Sequence, residues 1–414
     1  MSSSDKKIRL AAIGVGNRTK KYLQYVSAHP ESVSLAALVE SDPERLEEAG
    51  LAYGLAEDRC FSSAEDFFRV KRDIDAVIIG TPDDLHYAQS MAAIAKGYHI
   101  LLEKPIARTL AECEDIAKAA QAAGVKVGVC YVLRYHPYYL KIKEILDSGE
   151  LGPVLSLRHS INIGIDRMTH TYVRGPWSRE EEAVPIFLSK CCHDVDIILW
   201  LTGAEVEELS SFGSLQWFRG ENAPQGSSGR CITCSVEKTC PFSAVDLYRR
   251  RMEWTDNFTV PKGHSKAEVV AQELKEGRFG RCVYRCENDV PDNQIVAMKA
   301  ASGLTVNLSM VSLTREDGRI MRINCAFGEV VADGNKIEVV RFASNKKEIF
   351  DFTSVNSLPL HGNADLEIVE DFIESLREPS RELRSPINSA LISHKLCFRA
   401  EESRKEGRIV RLGK

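Results

Sequence analysis

The sequence predicts an α/β protein: an N-terminal doubly wound parallel sheet, followed by an α+β domain with a large open, mainly antiparallel sheet. Three observations carry this. Up to residue 135, short apolar runs alternate with stretches of helical spacing, and strands buried on both faces between helices form parallel sheets. Two glycines, Gly14 and Gly16, stand at the first strand-to-helix turn. From residue 151 onward the pattern changes to alternation broken by hairpin signals.

Each element follows from its residues. "KIRLAAIGVG" is a short buried strand running into a tight turn. "NRTKKYLQYVSAHP" has helical spacing at Tyr22, Leu23 and Val26 and stops before Pro30. "VSLAALVESD" is a second strand. Asp42 caps the next helix, and Pro43 suits its first position. "DAVIIGTP" and "DDLHYAQSMAAIAKG" are the third strand and helix. "HILLEKP" is the fourth strand. Thr109, with Glu112 at capping-box spacing, opens "TLAECEDIAKAAQAAG". "VKVGVCYV" is the fifth strand. The second domain opens with the alternating strand "LGPVLSLRHSINIG", residues 151–164. "QIVAMKAASGLTVNLSMVSLT" and "MRINCAFGEVVADGNKIEVVRF" continue its sheet, breaking at Ser302-Gly303 and Asp333-Gly334-Asn335. "ADLEIVEDFIESLRE" is a late amphipathic helix. The domains are placed at 1–135 and 136–414.

Bulk properties exclude several classes. The 414 residues are 44% hydrophobic and 27% charged, with net charge −5. No basic stripe argues for nucleic acid. No apolar run reaches the roughly 18 residues that span a bilayer, and no apolar segment precedes Ile8 as a secretory signal would. A cytoplasmic location is expected.

Gly14-Val15-Gly16-Asn17-Arg18-Thr19 matches G-x-G-x-x-G at two of three glycines. Gly14 allows the tight turn and Gly16 lets a pyrophosphate approach. Asn17 and Arg18 begin a helix whose N-terminus favours phosphate. Thr19 stands where a small residue would ease packing. Glu40, ending the second strand, is placed to accept ribose hydroxyls, which favours NAD over NADP, although Ser41 would tolerate a phosphate. In such a Rossmann sheet ligands bind beyond the strands' carboxyl ends. Those ends carry Thr81 and Pro82 with His86 just after, Glu103 and Lys104, and Tyr131 to Arg134. A lysine there can donate to a substrate oxygen.

These pieces together resemble the Gfo/Idh/MocA family of nicotinamide-dependent oxidoreductases. "AAIGVGNRTKKYL", "AALVESDPERLE", "VIIGTPDDLHYAQSMAAIAKGYHILLEKPIARTLAE" and "HDVDIILWLTG" carry the resemblance over residues 7–210, and "EKP" is its most specific part. The resemblance implies an NAD-dependent dehydrogenase acting on a secondary alcohol of a sugar, sugar acid or cyclitol. Lys104 would contact nicotinamide and substrate. His193 would be the acid–base residue, with Asp196 three residues on to orient its ring or the helix end. Tyr131 and Arg134 would bind substrate. It also implies a homo-oligomer, dimer or tetramer, assembled through the second sheet's outer face. Two alternatives stay open: a redox-neutral, NAD-dependent glycoside-cleaving enzyme, and a silent nucleotide-sensing regulator. Where many members carry an acidic residue four positions before the histidine, this chain has Ser189 followed by Lys190. Lys190 could bind an acidic group or depress the histidine's affinity for protons.

Residues 215–290 read as a Cys-rich insertion. Cys231-x2-Cys234-x5-Cys240 is followed by Cys282 and Cys286. Cys231, Cys234, Cys240 and Cys286 are the expected ligands of one structural zinc, which would staple a long loop with little core of its own.

Overall fold

The structure is a computed structural model that describes residues 7–256, 258–261, 263–358 and 362–413. The chain forms two compact units. The first comprises the chain up to Glu150, Cys192–Gly203 and Phe350–Phe398; the second comprises Leu151–Cys191, Ala204–Ile349 and the chain from Arg399.

The first unit is built on a six-stranded sheet: β1 (Ile8–Ile13), β2 (Val33–Val39), β3 (Cys60–Phe61), β4 (Ala76–Ile79), β5 (His99–Leu102) and β6 (Val127–Val129), in the order β3-β2-β1-β4-β5-β6. Every pairing is parallel. The expected strands are all present. The two-residue β3 is an addition, too short to show a period. The sheet reverses order between β1 and β4, so its ligand crevice lies at their carboxyl ends. Helices α1 (Asn17–Ala28), α2 (Pro43–Ala52), α3 (Ala64–Phe68), α4 (His86–Ala95), α5 (Leu110–Ala123) and α6 (Pro137–Asp147) follow in turn. Asp42 caps α2 through the backbone N–H groups of Glu44 and Arg45, and Thr109 and Glu112 form the expected capping box.

The second unit holds a nine-stranded sheet of mixed, mostly antiparallel pairing. Its strands are β7 (Val154–Gly164), β8 (Val206–Ser214), β9 (Asn293–Ala300), β10 (Thr305–Thr314), β11 (Gly318–Cys325), β12 (Gly328–Ala332), β13 (Lys336–Arg341), β14 (Lys346–Asp351) and β15 (Val410–Arg411). They lie in the order β14-β13-β12-β11-β7-β10-β9-β8-β15. Only β7 and β10 are parallel among the registers of this sheet described here. Helix α7 (Ile186–Thr202) precedes β8.

The insertion leaves the sheet after β8 and returns at β9. It carries α8 (Ala244–Arg250) and α9 (Lys266–Lys275). Contrary to expectation, it has a core of its own. Ala244, Leu247, Tyr248 and Val270 cluster with Trp254, Phe258, Leu274 and Phe279. Near the C-terminus, α10 (Ala364–Arg377) packs its apolar face on α1, and α11 (Ile387–Glu406) follows. No helix among the described residues is long and apolar enough to cross a membrane.

Candidate active site

The glycine turn is uncrowded where a ligand would approach. Gly14 has φ +80°, and a Cβ there would lie 2.9 Å from the Gly80 carbonyl oxygen, so glycine is required twice over. Nothing lies within 4 Å of a Cβ built on Gly16. Gly16 is the N-cap of α1, no side chain caps the helix, and its first turn holds no acidic residue. No acidic residue in this first turn opposes an anion there. The absent third glycine is explained across the sheet. Thr19 is wholly buried against Gly80, where a Cβ would come within 2.3 Å of Thr19 Oγ1. The close approach is made by a glycine on the facing strand end instead.

Glu40 sits at the end of β2, buried, and braces this turn. Its Oε2 accepts from Val15 N–H (2.8 Å) and its Oε1 from Asp42 N–H (3.0 Å). The carboxylate is thereby fixed beside the glycine turn, as a group meeting ribose hydroxyls must be. The turn, the uncapped helix and Glu40 fit a dinucleotide.

Arg18 departs from expectation. Rather than facing phosphate, its guanidinium pairs with Glu103 (3.0 Å) and with Asp365 of α10 (2.7 Å), and it donates to Tyr22 Oη. Glu103 is likewise turned inward. It accepts from Arg18, from the Tyr22 hydroxyl and from Lys104 N–H (3.0 Å). Burial works against its charge, but Arg18 and Lys104 together hold its carboxyl below the usual range.

His86 and Thr81 also make internal contacts. His86 is fully buried, its Nδ1 2.7 Å from the Pro105 carbonyl and its Nε2 3.0 Å from the Thr81 carbonyl. It ties the end of β4 to the turn after β5. Thr81 Oγ1 donates to Gln89 (2.7 Å), and Pro82 opens the short turn leading into α4.

Lys104 is half-buried and within electrostatic reach of Cys192 and His394. His193, one residue after Cys192 on α7, has its ring centroid 5.3 Å from that of Tyr131. The Tyr131 hydroxyl is itself taken up by Ser393 Oγ and His394 Nδ1, both at 2.9 Å. Tyr131 is thus a buried wall beside His193, with its hydroxyl held by Ser393 and His394. His394 Nε2 accepts Ile106 N–H (2.9 Å), which fixes the proton on Nδ1, 2.8 Å from the Ala390 carbonyl. Burial lowers His394 to about 4, so the ring is neutral. His394 and Ser393 escaped the sequence reading because a single histidine in a late helix carries no local signal.

Arg134 and Asp196 meet each other. Both are buried, and they form a bidentate pair (Nε–Oδ2 2.8 Å, Nη2–Oδ1 2.6 Å). Arg134 Nη1 donates to the Arg384 carbonyl (2.6 Å). Arg134 and Asp196 thus hold one another and anchor α7, the helix that carries His193. Lys190, on the same helix one turn before His193, lies near Asp317 in the second unit. Burial works against the Asp317 charge, but Arg167 and Lys190 hold its carboxyl below the usual range.

The zinc site requires correction. Among the described residues, no group of three or more His, Cys, Asp or Glu side chains is placed to hold a metal ion. Cys286 Sγ turns to the Cys282 carbonyl (3.3 Å).

Residues 8–131 match a family described as an oxidoreductase family with an NAD-binding Rossmann fold, and residues 139–240 match the GFO/IDH/MocA C-terminal domain. The YteT chain of Bacillus subtilis is 24% identical over 319 residues, 75% of this chain and 72% of that one. The scyllo-inositol 2-dehydrogenase (NAD(+)) of Bacillus subtilis is 26% identical over 219 residues, 50% of this chain and 58% of that one, so the match spans little more than half of that relative. Among solved structures, the WlbA dehydrogenase of Bordetella pertussis with NADH and UDP-GlcNAcA has a TM-score of 0.69 at 19% identity, covering 99% of this chain and 100% of that one. That likeness is one of fold.

Proposed function

This chain belongs to the Gfo/Idh/MocA family of oxidoreductases, and from that premise we propose that it transfers a hydride between NAD and a secondary alcohol of a sugar, sugar acid or cyclitol. The carrying observation is the grouping of Lys104, Cys192–His193 and Tyr131 within the unit that holds the phosphate-ready glycine turn. Relatives named as inositol dehydrogenases support the substrate class.

Bound NAD supplies the hydride acceptor. Lys104 places a positive charge where oxygen gains negative charge as hydride leaves carbon. His193 takes the hydroxyl proton, a role suited to imidazole, which changes charge near neutrality. Tyr131 fixes the ring plane beside it. Arg134 and Asp196 fix the helix that carries it. Glu40 at the ribose position favours NAD over NADP, because a carboxylate repels a 2′-phosphate.

The test is net formation of reduced cofactor on a panel of polyols and sugar acids. Lys104→Met and His193→Ala should each lower turnover by about 10² to 10⁴. Release of a glycosidic leaving group without net reduction would replace this reading with the glycoside-cleaving one. NADP binding much tighter than NAD would overturn the Glu40 assignment.

Assembly through the second sheet belongs to the same reading. One row of paired residues, Phe212, Ile295, Ser309, Ser160 and Ile320, crosses five strands on one face. Phe212, Ile295 and Ile320 on it are exposed. A second copy of the chain covering this row would remove that apolar surface from water.

A further inference from the structure

The insertion holds thiols that the proposed reaction does not use. Cys231, Cys234, Cys240 and Cys282 line one cavity together with Arg174. Its volume is about 20 Å³, room for about one water-sized molecule. Arg174 is fully buried. Its Nε donates to the Arg281 carbonyl (2.7 Å), and its Nη2 donates to the Phe242 carbonyl (2.6 Å) and to Cys231 Sγ (3.6 Å). Its Nη1 has no hydrogen-bond partner, and it forms no ion pair among the described residues. A guanidinium keeps its proton, and a desolvated charge without a counter-charge is costly.

The other charged groups at this cavity are committed elsewhere. Arg230 donates to the carbonyls of Glu273, Leu274 and Gly277, and Glu237 accepts from Ser243. Burial pushes the Cys240 and Cys282 thiols up, so they keep their protons. The Cys231 sulfur receives two donors, Arg174 and the Ala244 N–H (3.5 Å), and itself turns to the Arg281 carbonyl (4.0 Å). It is the one place at this cavity where negative charge would meet the unmatched guanidinium.

We propose that Cys231 is the nucleophile of a thiol oxidation site, which reacts with a small hydroperoxide and then forms a disulfide with Cys240 or Cys282. The Cys231 sulfur attacks the outer peroxide oxygen. The O–O bond breaks, and the leaving oxygen departs as water or alcohol with the thiol's proton. Cys231 is then a sulfenic acid. The second thiol attacks that sulfur, the S–S bond forms, and hydroxide leaves with that thiol's proton as water. The two thiols have lost two electrons and the peroxide has gained them. Arg174 stabilises the attacking sulfur, and a cavity of this size restricts the site to the smallest oxidants.

The test treats the reduced, full-length protein with hydrogen peroxide. A sulfenic-acid-trapping diketone and peptide mass mapping then locate the product. Label on Cys231 first, followed by a cross-link from Cys231 to Cys240 or Cys282, is the expected result. Cys231→Ser should abolish both. The double variant Cys240→Ser/Cys282→Ser should stop at the sulfenic acid. Arg174→Met should slow labelling by about ten-fold or more, and Arg174→Lys should restore most of it. A bulky maleimide should react with Cys231 more slowly than peroxide does. Cys234 or Cys286 oxidising before Cys231 would overturn the proposal. So would an unchanged rate in a folded Arg174→Met variant, or a stoichiometric metal on the purified protein that blocks labelling until chelated. If Arg174→Met does not fold, the serine variants still decide.

Discussion

Replacing Gly80 with alanine tests how the chain tolerates threonine in its glycine fingerprint. The new Cβ would lie 2.3 Å from Thr19 Oγ1 and 3.6 Å from Thr19 Cβ. Gly80 does not have a positive φ, so the cost is steric rather than conformational. Overpacking of this kind costs about 1–3 kcal/mol. Thr19→Ala alone removes a buried hydroxyl that has no hydrogen-bond partner, relieving about 1–3 kcal/mol of desolvation, and loses a methyl worth about 1 kcal/mol. It should be near neutral or slightly stabilising. In the double variant the clash is gone, so the two changes should couple favourably by about 1–2 kcal/mol. Urea unfolding of the four proteins measures this, and NAD titration shows whether the neighbouring turn follows. A coupling below about 0.5 kcal/mol, within ordinary additivity, would refute the account.

Removing one partner of the buried Arg134–Asp196 pair, as in Asp196→Asn or Arg134→Met, should cost about 3–5 kcal/mol, and Arg134→Met/Asp196→Leu should recover much of it; denaturant midpoints decide. His394, lowered to about 4 by burial, binds its proton in the unfolded chain first. Its contribution is therefore complete above about pH 6.5 and is lost as pH falls toward 4, by about 3 kcal/mol in all. His394→Gln keeps an acceptor for Ile106 N–H and should flatten the stability profile by about one proton over that window; an unchanged slope would assign the titration elsewhere. Ile295→Lys should shift the protein to a smaller species in sedimentation, and an identical sedimentation coefficient would remove this face from assembly.

What was legible in the residues was what is local. Gly14 and Gly16 at a strand end, Asp42 before Pro43, and Thr109 three before Glu112 each declare a turn or a cap within a few positions, and the structure keeps all of them. What was not legible depends on contacts between distant elements. Thr19 looks like a defect until Gly80 is brought against it. Arg18 follows the glycines as a phosphate ligand would, yet Asp365 arrives from α10 to claim it. Arg134 and Asp196 each have the chemistry of a site residue, and only their meeting shows that they satisfy one another. The cysteine spacing foretold a cluster, but not that Val270, Trp254 and Phe279 would give the insertion a core of its own.

The same distinction divides the residues from 103 to 106. Glu103 is gripped by Arg18 and Tyr22 of α1, and through Arg18 it is linked to Asp365 of α10. The Pro105 carbonyl meets His86 of α4, and the Ile106 N–H is taken by His394 of α11. Four helices from distant parts of the chain therefore converge on the backbone and carboxylate that flank one lysine. A long, flexible lysine stem has much rotamer freedom to lose, so fixing its root on both sides is what confines its ammonium. The glutamate and proline serve position, and on the proposed reading Lys104 is the group they position. Loosening any one grip should then lower turnover without changing which group reacts, whereas replacing Lys104 removes the group itself.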